Sequence, residues 1–64
     1  MKTVKDFSYL VNRPLAQAEQ KIEEPFYIRV VRENGVNFFV TQDFVIERVN
    51  VATENNIITE IGIG

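Results

Sequence analysis

Sixty-four residues carry seven basic and nine acidic side chains, a formal net charge of −2, and neither cysteine nor histidine. Disulfide staples, Cys/His zinc sites, Ser-His or Cys-His nucleophile pairs and a histidine general base are therefore excluded. The scattered lysines and arginines form no basic stripe of the kind that holds nucleic acid, and no apolar run reaches the length of a membrane-spanning helix.

A chain of this length supports one domain, residues 1–64, with a modest core held by packing and hydrogen bonds alone. The acidic residues fall into no calcium-loop spacing. A metal-independent carboxylate enzyme needs a pocket, which so small a core does not wall. The expectation is a non-enzyme without cofactor or metal. The start, Met1-Lys2-Thr3-Val4-Lys5-Asp6, has no apolar h-region and reads as no signal peptide. Cytoplasmic is the default location, although a mature secreted protein would look the same, and lack of cysteine suits a reducing compartment without requiring one.

In chain order, residues 1–12 read as a mostly irregular arm that pins one or two of Phe7, Tyr9, Leu10 and Val11 onto the core. Pro14 suits the first position of a helix, where its missing N–H costs nothing. Leu15 to Glu24 is rich in helix formers. Leu15, Ala18 and Ile22 recur at i, i+3, i+7 and give one narrow apolar face, with Glu19 and Glu23 on a solvated one. Pro25 ends the helix, because the residue before proline avoids the α region. The expectation is about three turns at 3.6 residues each.

Phe26 to Arg32 is β-rich, with Ile28 and Val30 alternating against Arg29. Asn34-Gly35 is a hairpin signal, since both residues tolerate positive φ, and Asn37-Phe38-Phe39-Val40 is expected to return antiparallel to residues 27–32. An extended loop follows at about residues 41–45, then a strand at about 46–53. Strand period two puts Val49 and Val51 on one face, Arg48 and Asn50 on the other. Glu54-Asn55-Asn56 turns into a last strand, Ile57 to Ile63. Gly62-x-Gly64 is no phosphate loop, because no helix follows. The fold class is α+β, one short helix on a small mixed sheet with an exposed loop between two strands.

Taken together, several stretches resemble the potato inhibitor I family of serine-protease inhibitors, and its bacterial inhibitor-like branch more closely. They are Leu10-Val11-Asn12-Arg13-Pro14, the helix 14–24, Ile28-Arg29-Val30-Val31, Val40-Thr41-Gln42-Asp43-Phe44, Arg48-Val49-x-Val51 and Ile61-Gly62-Ile63-Gly64. The resemblance implies a standard-mechanism inhibitor whose loop, Val40 to Phe44, is presented like a substrate. Gln42-Asp43 matches the scissile bond, Gln42 enters the primary pocket, and Thr41 and Val40 take the next two subsites. The loop would be cut slowly and resealed. The family braces the loop threonine and acid with arginines from the following strand. Arg48 matches one of them and implies a guanidinium–carboxylate pair with Asp43; the other position is Asn50. Two more departures are a segment 32–39 longer by two or three residues than in the plant proteins, and Gln42, which is neither large and apolar nor basic. The implied partner is a subtilisin-like serine protease.

A reading from a different class stands beside it. On the same fold, a non-catalytic interaction module would bind a partner, or itself as a homo-oligomer, through an exposed sheet edge or the Phe38-Phe39 surface. Those two rings either both pack, one on the core and one under the loop, or form an exposed apolar patch. Arg48 has a plainer reading as an exposed strand arginine, and Gln42-Asp43 as a solvated turn.

Overall fold

Residues 3–64 are described in the computed structural model; Met1 and Lys2, which open the N-terminal arm, lie outside them. The first described element is a 3-10 helix, Val4–Leu10, where the sequence suggested an irregular arm. Three residues per turn bring Phe7 and Leu10 onto one side, and both are buried. The Asp6 carboxylate accepts hydrogen bonds from the Thr3 amide (2.7 Å) and hydroxyl (3.2 Å), which closes the first turn.

Helix α1 is Leu15–Lys21, shorter than expected. Pro14 precedes it as the N-cap rather than opening it, and Ile22 is already extended at φ −69°, ψ 136°. The chain must turn before Pro25 to feed the first strand, and the Phe26 amide closes that turn on the Glu23 carbonyl at 2.9 Å. The apolar face is as read: Ala18 is fully buried, and Leu15 and Ile22 pack against the core.

The strands are β1 (Tyr27–Glu33), β2 (Val36–Asn37), β3 (Arg48–Glu54) and β4 (Ile57–Ile63), in the sheet order β2-β1-β3-β4. The fold is α+β. β1 and β3 run parallel, and the other two pairings are antiparallel. The Asn34-Gly35 hairpin forms with φ of 50° and 80°, positive at both positions as its turn requires. Its second strand is far shorter than expected, because only Val36 and Asn37 pair with β1. One further bond, from the Phe38 amide to the Val31 carbonyl (2.9 Å), is the chain's last tie to β1 before it leaves the sheet. β3 begins two residues later than read, since Ile46 and Glu47 form a turn closed by the Arg48 amide on the Val45 carbonyl (3.1 Å).

Phe7, Leu10, Ala18, Val49, Val51 and Ile58 form the buried core, joined by Phe26, Ile28 and Val30. The Phe7 and Phe26 rings meet edge to face, centroids 5.0 Å apart, a geometry worth about 0.5–1.5 kcal/mol beyond burial. β4 holds the helical layer: its Ile58 carbonyl accepts from the Asn12 amide (2.7 Å), and its amide donates to Arg13 (3.0 Å). Val49 and Val51 face this layer, so period two sends Arg48 and Asn50 to the opposite face, where the long connection lies. Among the described residues no helix is long and apolar enough to cross a membrane.

Candidate functional site

The connection from β1 to its parallel neighbour β3 passes through the short β2 and then through residues 38–47, which hold no strand or helix. Such a connection is usually a helix; here it is an exposed loop with side-chain braces on both sides of Gln42. The first brace comes from β1. Arg29 donates from Nη1 to the Thr41 hydroxyl oxygen at 3.1 Å, while its Nε donates to Asn50 Oδ1 at 2.8 Å. Arg29 and Asn50 are direct partners in the β1–β3 register. Asn50 therefore reaches the loop through Arg29, fixing which way the guanidinium fork points.

The second brace comes from the start of β3. Arg48 is buried, 6% exposed, which overturns the plainer reading of an exposed strand arginine. Its Nη2 donates to the Asp43 carbonyl oxygen (2.8 Å) and lies 3.4 Å from the Asp43 carboxylate. Nε and Nη2 also donate to the Gly64 backbone oxygen at 3.1 and 2.8 Å. The Gly64 amide in turn donates to the Arg48 carbonyl at 2.9 Å. One guanidinium thus ties the loop to the last residue of the chain, and its burial is compensated by these acceptors.

Asp43 is held below the ordinary carboxylate range. The first cause is a hydrogen bond from the Thr41 side chain; desolvation opposes it as the next largest effect, and its own backbone amide and the Arg48 charge and hydrogen bond restore the downward direction. Thr41 and Asp43 are thereby linked to each other across Gln42 as well as to the two arginines. Gln42 itself is exposed and, among the described residues, its side chain has no hydrogen-bond or ion-pair partner. Val40 is 37% exposed and Phe44 70%. Phe44 lies over Gly64, its Cδ2 and Cε2 3.1 and 3.3 Å from where a Cβ would stand on that glycine.

Neither of the adjacent phenylalanines is buried. Phe38 is 44% exposed and Phe39 108%, because the chain has left the sheet by the time it reaches them. Arg29 is the functional candidate that the sequence reading passed over. Its signal was present: Arg29 alternates with Ile28 and Val30, so the face opposite the core was its only place. Among the described residues no three carboxylates cluster to hold a metal. No family model, curated protein or solved structure matches the chain.

Proposed function

We propose that this protein is a serine-protease inhibitor of the potato inhibitor I type, presenting Val40-Thr41-Gln42-Asp43-Phe44 to a subtilisin-like enzyme. The observation that carries the reading is the double brace: Arg29 on Thr41 and Arg48 on Asp43, one on each side of Gln42. A substrate-like loop inhibits when it is held in the bound shape before binding, because little conformational entropy is then lost and the cut ends stay in place. An exposed Gln42 between two tethered neighbours has that arrangement. The Asn50 departure is compatible with it, since Arg29 supplies from β1 the guanidinium that Asn50 lacks.

The test is a titration against subtilisin, followed over hours by mass spectrometry. Inhibition with at most one cut, between Gln42 and Asp43, is the expected result. Rapid degradation, or full protease activity beside an uncut protein, would show that the fold lacks this role.

The exposure of Val36, Phe38 and Phe39 favours a second reading, a non-catalytic module that binds a partner or a second copy through this surface. Its signature is loss of association on Phe38→Ser or Phe39→Ser, with no effect on any protease.

A further inference from the structure

Phe39 is an aromatic ring that the described residues of its own fold leave fully exposed. At 108% exposure it exceeds every other large apolar side chain among the described residues. Its backbone is nevertheless held on both sides. The Phe38 amide is bonded to the Val31 carbonyl at 2.9 Å, and the Thr41 hydroxyl is bonded to Arg29 at 3.1 Å. Only Phe39 and Val40 stand between these two anchors. A ring kept in water on a tethered backbone contributes no packing to the domain, while burial against an apolar partner would favour a complex.

Position gives the ring its meaning. Phe39 lies three residues before Gln42, about 10 Å away along an extended chain. Gln42 offers a primary pocket neither a large apolar group nor a positive charge, so affinity must come from elsewhere on the loop. The Thr41 and Asp43 side chains are already engaged internally. Phe44 leans on Gly64. Phe39 is the most fully exposed of the loop's phenylalanines, at 108% against 70% for Phe44 and 44% for Phe38.

Resting on the inhibitor reading above, we infer that Phe39 is the specificity anchor of the loop. It selects serine proteases that bind substrate as an extended strand and carry an apolar pocket for the fourth residue before the scissile bond. Enzymes that read only the residue at the cut are poor targets. The recognised chemistry is an aromatic ring at that distance, combined with an undemanding residue at the bond itself.

The experiment measures inhibition constants of the intact protein, Phe39→Ala and Phe38→Ala against subtilisin, with light scattering of each alone. Loss of one fully buried aromatic contact predicts weakening of about 10- to 100-fold for Phe39→Ala. The thermal midpoint and the Gln42-Asp43 cleavage site should not change, and Phe38→Ala should weaken inhibition far less. Inhibition by the intact protein with Phe39→Ala within twofold of it overturns the anchor and leaves the inhibitor reading standing. An equal loss in Phe38→Ala overturns it as a general apolar effect. A concentration-dependent dimer abolished by Phe39→Ala assigns the ring to a second copy instead. No inhibition by the intact protein removes both readings together.

Discussion

Arg29 donates to the Thr41 hydroxyl oxygen across the gap between β1 and the loop, at 3.1 Å, with its own orientation set by Asn50 at 2.8 Å. A strand arginine at the centre of the sheet thus fixes a side chain twelve residues later. The planar fork matters, because one guanidinium must satisfy two acceptors in different directions. A lysine ammonium has no such geometry.

Arg29→Lys is therefore expected to behave almost like Arg29→Ala at the loop. Each hydrogen bond lost contributes about 0.5–1.5 kcal/mol, so the fold should survive. The change should appear as faster proteolysis at Gln42-Asp43. Asn50→Ala, which leaves Arg29 present but unguided, should fall between the native protein and these two variants. Cleavage rates under subtilisin, read by mass spectrometry, give the order; an unchanged rate in Arg29→Ala would remove this brace from the account.

Arg48→Ala should cost more, in stability as well as in loop order. It deletes the hydrogen bonds to Asp43 and Gly64 together from a buried position. A loss of about 2–4 kcal/mol is expected. For a domain of this size that is roughly 4–8 °C of thermal midpoint per kcal/mol, measurable by calorimetry. A shift of a degree or less would mean that the buried guanidinium is dispensable.

The Asp43 contacts predict an acid-sensitive loop. Its carboxyl is depressed in the folded protein, so the stabilisation is present above the unfolded value, about 3.9. It is lost as pH falls through the lower folded value. Loop protection should be flat from neutral pH to about 4 and decline below it. Asp43→Asn should abolish that dependence. Amide resonances of Thr41 and Asp43 followed from pH 6 to pH 2 are the direct readout; a midpoint above the ordinary carboxylate range would contradict the sign.

Leu10→Ala tests whether the N-terminal 3-10 helix belongs to the cooperative unit. Leu10 is completely buried, and such a truncation costs about 2–5 kcal/mol. A core of this size supplies only about 3–5 kcal/mol in all. A large unfolded fraction at 25 °C is expected by circular dichroism. A native spectrum with a normal melt would place residues 4–10 outside the folding unit.

Most of the architecture is legible because strong local signals agree with it. Leu15, Ala18 and Ile22 mark one helix face, Asn34-Gly35 a tight turn, and Val49 and Val51 the core side of a strand. The errors lie where tertiary contacts override local preference. Residues 4–10 have no helical periodicity of 3.6, because Phe7 and Leu10 obey a period of three. The helix stops at Lys21, before composition would end it, because the chain must turn at residues 23–26 to feed β1. Phe38 and Phe39 look like strand residues, but the pairing with β1 ends at Asn37 opposite Arg32, and the chain peels away from the sheet after the Phe38 amide's bond to Val31. At the loop, Arg48 was visible from the resemblance. Arg29 was not, because its role depends on β1 lying parallel beside β3, a relationship that periodicity alone does not specify.

That parallel pairing of β1 with β3 means that the loop is the sole covalent link between residues 1–42 and 43–64, while the sheet and core join the same two pieces independently. β1 and the helices lie in the first piece; β3 and β4 lie in the second. The arginine braces divide in the same way, Arg29 with the piece ending at Gln42 and Arg48 with the piece beginning at Asp43. A protein severed at this bond becomes a two-chain complex with its new amine and carboxyl ends parked side by side, where high effective concentration favours their reunion. Peptides 1–42 and 43–64, mixed without ever having been joined, should therefore find each other and rebuild the domain.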